Sequence, residues 1–133
     1  MPIVRTNPEG AYPTRGYHHV VSTEGGRTLY IAGQVAYDQD RKLQGGNDVV
    51  AQGRAVLANL GHRLAAVGAR PQDVVKITTF IVGYDREKHL MPLVDVLNDF
   101  FGVDHLPANT LIGVDKLAVD ELLIEIEAIA HVG

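Results

Sequence analysis

The sequence predicts an α+β fold, in which a mixed β-sheet carries two helices on one face. Two stretches, 49–67 and 86–101, space their apolar residues as amphipathic helices do. The stretches around them are rich in β-branched or alternating apolar residues, which favours strands. The resulting order, β-β-α-β-α-β-β, fits a sheet with helices packed against it. With 133 residues and no linker or internal repeat, the chain is expected to form a single domain, 1–133.

The first part of the chain predicts a loop followed by a β-hairpin. Residues 8–16 are rich in proline and glycine, which favours irregular structure. Residues 17–22 and 28–34 have the composition of strands, and two adjacent glycines, Gly25 and Gly26, lie between them. We therefore expect these two strands to pair with each other.

Each predicted helix has an identifiable end. Gly68 follows the apolar pattern of 49–67 directly, and a glycine in this place commonly ends a helix. The second helix, 86–101, should likewise stop at Gly102. Its Pro92 is expected in the first turn, where a missing N–H does no harm.

Three further strands are predicted at 73–82, 109–114 and 122–131. The first is dense in β-branched residues and suits a central position in the sheet. In the last, every second residue is apolar, while Glu125 and Glu127 share the opposite face, about 7 Å apart at a rise of about 3.4 Å per residue. On the pattern alone, the simplest interpretation is the solvent-facing side of an antiparallel sheet.

Composition and charge argue against several classes of protein. The formal net charge is -4 and lysine and arginine do not cluster, so nucleic acid is not expected as a partner. The chain has no run of 18 apolar residues and its start does not resemble a signal peptide, so we expect no membrane association and a cytoplasmic location. The absence of cysteine excludes disulfides and thiol catalysis.

One face of the predicted sheet is left without a covering layer. Small or β-branched residues that could pack there against a second sheet are Ala32, Gly33, Ala36, Thr78 and Thr79. Oligomerisation would cover this face.

Four segments together resemble the Rid family (YjgF-like, formerly L-PSP endoribonuclease). The likeness extends over nearly the whole chain, in order and at compatible spacing. It implies a chorismate-mutase-like α+β fold and a homotrimer with three small-molecule clefts, each between neighbouring subunits. It also implies hydrolysis of reactive enamines and imines to 2-keto acids and ammonia by water, with no cofactor. The segments are Tyr30-Ile31-Ala32-Gly33-Gln34, residues 73–82, Pro107-Ala108-Asn109-Thr110 and residues 124–130.

The resemblance also assigns roles to individual residues. The family's water-activating glutamate falls on Glu125, its cleft-lining tyrosine on Tyr17, and its substrate-binding glycine on Gly33. Two positions depart from the pattern. Asn109 stands where family enzymes clamp the substrate carboxylate with arginine, and Ala32 stands where a hydroxyl residue, often serine, is found.

The change at Asn109 argues against the best-known reaction of the family. Arginine meets a carboxylate with two charged donors, whereas asparagine offers one neutral amide. Losing one partner of a buried charged pair costs roughly 2 to 5 kcal/mol, or about 30-fold to a few thousand-fold in affinity. We therefore expect a less anionic or differently oriented enamine or imine. The alternative is a small-molecule-binding or regulatory trimer without turnover.

Other polar residues leave their roles open. Lys76 and Arg54 are the cations considered for an anionic ligand, and His19 either lines the cleft with Tyr17 or is a polar residue at a sheet edge. His18 and His19 are adjacent, so on a strand they would point to opposite faces and could not form a metal pair. No metal site is predicted. No pair of histidines with a nearby cation suggests a ribonuclease.

Overall fold

Six strands and two long helices make up the fold. The computed structural model describes residues 2–133. The elements are β1 (Ile3–Thr6), β2 (Val20–Thr23), β3 (Arg27–Gln34), α1 (Val49–Ala66), β4 (Val74–Val82), α2 (Arg86–Phe101), β5 (Ala108–Val114) and β6 (Ile124–Val132). Single-turn 3₁₀ helices, Pro71–Asp73 and Val103–His105, precede β4 and β5.

The main sheet is mixed and has four strands in the order β3-β6-β4-β5. Strands β4 and β5 run parallel, while β6 is antiparallel to both of its neighbours. Both helices pack on one face of this sheet, so the predicted α+β arrangement is confirmed. The predicted central position of β4 is also confirmed.

Local sequence determines where the helices begin and end. The Asp48 carboxylate accepts from the backbone N–H of Val50 and Ala51, and Asp85 caps α2 in the same way. Gly68 has a φ of 78° just beyond α1, a left-handed conformation that glycine adopts readily. Both predicted helix ends are therefore confirmed. Among the described residues, neither helix is long and apolar enough to cross a membrane.

Pro92 lies inside α2, and its predicted place in the first turn is wrong. The Asp85 cap starts the helix well before the proline. Without an N–H, Pro92 cannot bond to the carbonyl of Lys88, four residues earlier. The helix continues because its apolar face, including Leu93 and Leu97, is buried against the sheet.

The predicted hairpin between residues 17–22 and 28–34 is wrong. Strand β2 begins only at Val20 and pairs with β1, which the sequence did not suggest, while β3 pairs with β6. Gly25 and Gly26 both have positive φ and turn the chain out of the β1–β2 ribbon. Gly26 lies so close to the Val132 carbonyl that a Cβ would collide with it, which brings the chain beside the end of β6.

The two faces of the main sheet differ in their cover. Side chains toward the helices are buried, including Ile77, Thr79 and Ile81 of β4 and Ile124 and Ile126 of β6. The outer face carries the alternate residues and has no second layer within the described part of the chain. Thr79 and Ala36 were expected on the outer face, but both are buried on the helix side because the strand alternation and the turn after β3 direct them inward.

A buried amide fixes the connection before β6. Gln52 of α1 is 0% exposed. Its Nε2 donates to the carbonyls of Gly46 (2.8 Å) and Glu121 (3.0 Å), and its Oε1 accepts from the N–H of Leu123 (2.9 Å). These bonds hold the loop at Gly46 next to residues 121–123, just before β6 begins.

Candidate functional site

Glu125 lies on the outer face of β6, where Phe80 of β4 is its register partner. It is half-buried, and its carboxylate packs against Gly33 so closely that a Cβ built at residue 33 would collide with Oε2 and lie 2.7 Å from Cδ. Burial, and secondly the negative charge of Glu127, raise the pKa of Glu125 above the ordinary value for a carboxyl. A carboxylate of this kind accepts a proton more readily than an exposed one.

Strand β3 brings Ala32 and Gly33 to this part of the outer face. The register of β3 against β6 shifts between Ile31 and Gln34, which is an irregularity in the strand. The Gln34 side-chain amide donates to the Ala32 carbonyl at 3.0 Å. Ala32 itself is exposed. The predicted neighbours Gly33 and Glu125 are thus brought together, and Ala32 adjoins them along the chain.

Tyr17 and Asn109 line a different cavity, of about 200 Å³, between the N-terminal loop, α2 and β5. The Asn109 Oδ1 accepts from the Thr79 hydroxyl at 3.1 Å, and Thr79 is only 2% exposed. Within residues 2–133 the Asn109 NH₂ group has no hydrogen-bond partner, so it can donate to a ligand. The rest of the wall is Arg15, Leu90, Leu93, Val94, Leu97 and Leu111.

The loop that carries Tyr17 is anchored by two histidines. The His18 ring Nδ1 lies 2.6 Å from the Leu106 carbonyl, and its backbone N–H donates to Pro107 at 3.1 Å. The His19 ring packs edge-on against Tyr17, at 5.6 Å between centroids, and its Nε2 lies 2.8 Å from the Tyr12 carbonyl. These contacts hold Tyr17 in a loop, not in the strand that was predicted. His19 therefore supports the loop and does not line the cavity.

Tyr17 is a hydrogen-bond donor at neutral pH. Side-chain hydrogen bonding with Tyr12, together with burial and the charge that Tyr12 would carry if ionised, raises the pKa of Tyr17 above its ordinary value. Its phenol therefore stays protonated. Asn109 can donate a hydrogen bond to an oxygen or nitrogen of a ligand in the cavity, and Tyr17 can do so when its hydroxyl turns away from Tyr12.

The sheet separates the two groups of predicted residues. Asn109 is the register partner of Ile77, whose side chain is buried toward the helices, whereas Glu125 pairs with Phe80 on the outer face. Side chains on opposite faces of one sheet cannot line one cleft. Within a single chain, the predicted residues therefore form two half-sites: Glu125, Gly33 and Ala32 on the outer face, and Tyr17 and Asn109 on the helix side.

Lys76 and Arg54, the two cations that the sequence offered for an anionic ligand, lie away from the Asn109 cavity. Lys76 is on the outer face, where its Nζ donates to the Thr110 hydroxyl at 2.8 Å. Arg54 forms an exposed ion pair with Asp99 at 3.4 Å, between α1 and α2. The sequence reasoning overlooked Arg15, which does line the cavity. The only sign of Arg15 in the sequence is that a cation stands two residues before Tyr17, a predicted site residue.

Metal ligation finds no support in the geometry of residues 2–133. No three His, Asp or Glu side chains in this part of the chain are grouped to hold a metal ion. The side chains at the two half-sites are a carboxylate, a phenol and an amide, and Arg15 lines the same cavity as the last two.

A family model and two related sequences assign the chain to the same family. The family model described as endoribonuclease L-PSP matches residues 9–132. A RutC family protein of Pyrococcus horikoshii is 34% identical over 106 residues, 80% of each chain. A RutC family protein of Synechocystis is 30% identical and covers 98% of this chain and 95% of its own.

Solved structures agree with these sequence matches. YyfB of Yersinia pestis, a Rid family protein described as of unknown function, is 42% identical and superposes with a TM-score of 0.95 over 99% of this chain and all of its own. A protein of Thermotoga maritima described as a putative endoribonuclease is 30% identical, with a TM-score of 0.71 over 96% of this chain and 92% of its own.

Proposed function

The chain belongs to the Rid (YjgF-like) family that the endoribonuclease L-PSP model describes, and on that premise we propose that it hydrolyses an enamine or imine other than a simple 2-imino acid. The proposal treats residues 1–133 as one Rid-like domain that needs no cofactor. Glu125 is its acid–base residue, and Tyr17, Asn109, Ala32 and Gly33 bind the substrate.

The observation that carries the proposal is the environment of Glu125. Its half-buried carboxylate has a raised pKa and lies against a glycine on a sheet face that no second layer of residues 2–133 covers. A general base works best when its pKa lies closer to the working pH, and such catalysis contributes roughly 10² to 10⁴-fold. The absence of a side chain at Gly33 allows the Glu125 carboxylate to lie against the β3 backbone.

The separation of the two half-sites supports an assembly with clefts between subunits. Glu125 and Asn109 face opposite sides of one sheet, so a cleft containing both needs one half-site from each of two chains. The outer face also exposes Tyr30 (80%) and Ile112 (39%), large apolar surfaces that a partner would bury. We propose the homotrimer and chorismate-mutase-like assembly of the family on this basis.

The reaction proceeds by addition of water to a carbon–nitrogen double bond. Glu125 takes a proton from water as the oxygen bonds to the imine carbon, and it gives that proton to the substrate nitrogen. It then takes the proton of the new hydroxyl group and passes it to the nitrogen as the carbon–nitrogen bond breaks, which releases ammonia and leaves a carbonyl. An enamine first gains a proton on carbon to become the imine. Tyr17 and Asn109 donate hydrogen bonds to the substrate.

The direct test replaces Glu125, and the same substitution at its neighbour Glu127 is the control. Glu125→Gln keeps the size of the side chain and removes the base, so turnover should fall by about 10² to 10⁴-fold while ligand binding persists. Glu127→Gln changes the same charge on an exposed neighbour and should keep most of the activity. Unchanged kinetics in Glu125→Gln would remove Glu125 from the mechanism.

The binding-protein alternative rests on Asn109, which lacks the charge of the family's arginine. Incubation with a metabolite extract followed by mass spectrometry separates the two functions. An enzyme consumes a compound, whereas a binding protein retains it unchanged. With imines made from ordinary amino acids by an amino-acid oxidase, we expect little activity. A rate comparable with that of a family enzyme would contradict the stated substrate class.

A further inference from the structure

We propose that Arg15 binds the carboxylate of an anionic ligand with an aliphatic body in the cavity beside Tyr17 and Asn109. The inference rests on the proposed function, because it defines the ligand class of one of its half-sites. It places the positive charge in the N-terminal loop, away from position 109. An anion held in this way is oriented differently from a simple 2-imino acid clamped at position 109.

Arg15 supplies the only charged side chain among the residues that line this cavity. The other polar groups of the wall are the Tyr17 phenol and the Asn109 amide, both hydrogen-bond donors. The wall therefore carries one cation and two polar side chains, and no acidic side chain of residues 2–133 lines it. A carboxylate, which only accepts hydrogen bonds, satisfies this arrangement.

The Arg15 guanidinium is uncommitted within the described part of the chain. It takes part in no hydrogen bond and no ion pair among residues 2–133, where the ion pairs are Arg54–Asp99 and Arg70–Asp73. Asp104 and Asn98 line a neighbouring cavity of about 500 Å³ that Arg15 also borders, but Asp104 does not pair with it. The charge remains free for a ligand.

The backbone holds Arg15 at the cavity. Gly16 is buried with a φ of 80°, and a Cβ there would lie 3.2 Å from Val94 Cγ2 of α2. This close approach fixes the loop against the helix between Arg15 and Tyr17. The His18 contacts to Leu106 and Pro107 hold the next residues. The guanidinium is therefore carried by an anchored loop, although its side chain is exposed.

The apolar part of the wall defines the remainder of the ligand. Five aliphatic side chains surround a volume of about 200 Å³, which suits a short branched aliphatic group. Burial of each methylene contributes about 0.8 kcal/mol, so the body adds to affinity as well as to selectivity. The aliphatic side chains are Leu90, Leu93, Val94, Leu97 and Leu111.

Calorimetry tests the inference by measuring how tightly the protein binds isocaproate and its uncharged amide. Wild-type protein should bind isocaproate at least about tenfold more tightly than the amide. Arg15→Gln should weaken isocaproate binding by about tenfold to a hundredfold, as expected for a hydrogen bond to a charged group, and leave amide binding unchanged. Arg15→Lys keeps the charge and should restore part of the loss.

Arg41→Gln is the matched control, because Arg41 is exposed in the turn after β3 and lines none of these cavities. It should bind both compounds as the wild type does. Equal binding of isocaproate by wild type and Arg15→Gln, or no preference of the wild type for the anion, would overturn the inference. Turnover is not needed for this measurement. Glu125→Gln should keep the Arg15-dependent binding, so failure of the hydrolase proposal is recognised separately.

Discussion

The Glu125 carboxylate occupies the space that a side chain at Gly33 would need. The two residues come from different strands, β6 and β3, and neither position alone reveals the contact. Because the colliding atoms are the end of a flexible side chain, a methyl group at residue 33 would move the carboxylate and leave the backbone in place.

Gly33→Ala should therefore separate function from stability. The added methyl pushes the Glu125 carboxylate toward water, so its pKa should fall toward the ordinary value and turnover should drop by about tenfold or more. The free energy of unfolding should change by less than about 1.5 kcal/mol, since the displaced group can move. Carboxyl titration by NMR and urea unfolding check the two parts. Gly61→Ala, in α1 and away from this contact, is the control, and an unmoved Glu125 pKa in Gly33→Ala would contradict the contact.

The raised pKa of Glu125 predicts a pH dependence with a definite sign. Its pKa in the folded state exceeds that in the unfolded chain, so its contribution to stability is present at low pH and is lost as pH rises through the folded pKa. Glu125→Gln cannot ionise. Its melting temperature relative to wild type should therefore increase as pH rises through that range. A difference that stays constant with pH would contradict the shift.

Glu127 contributes to the same shift through its charge. Glu127→Gln removes the neighbouring negative charge and should lower the pKa of Glu125, while burial keeps it above the ordinary value. For the proposed hydrolase, the acidic limb of the pH–rate profile should move to lower pH in this variant. High salt should reduce the difference between the two profiles, because Glu127 is exposed and its charge is screened.

Gln52→Leu should be strongly destabilising. The change leaves the Leu123 N–H and the carbonyls of Gly46 and Glu121 without their partner in a partly buried environment. Water can replace part of these bonds, so we expect a loss of about 1 to 3 kcal/mol in the free energy of unfolding, the cost of one unsatisfied buried group. Gln44→Leu, on an exposed turn, should change it by less than about 0.5 kcal/mol. Equal effects would contradict the role given to Gln52.

Tyr30→Glu tests the proposed assembly. Tyr30 is 80% exposed in the single chain and would be covered in the trimer, so an unpaired carboxylate there should cost about 3 to 5 kcal/mol per buried charge. Light scattering after gel filtration should show the mass of three chains for wild type and of fewer for the variant. Val119→Glu, exposed in the loop before β6, should remain trimeric. A wild-type monomer would contradict the intersubunit cleft.

Local pattern was sufficient for much of the fold. Both helices, the strand that became β4 and the alternation around Glu125 follow from spacing and end signals, which depend on neighbours in the chain. The pairing of β2 was not predictable in this way. Its partner, β1, is a four-residue strand, too short to show a pattern, and the Gly25–Gly26 turn is compatible with either pairing. Pro92 was misplaced because burial of the α2 face outweighs one lost hydrogen bond.

The sequence by itself determined the order of the elements after β1, the helix ends and the family, since these depend on local residue patterns and on motifs read in order along the chain. Only the tertiary structure decided which residues meet. It buried Gln52, put Asn109 and Glu125 on opposite faces of the sheet, and brought Arg15 to the cavity that Asn109 lines. These relationships depend on strand register and on how a loop packs against α2. They arise between residues far apart in sequence, where no local pattern records them.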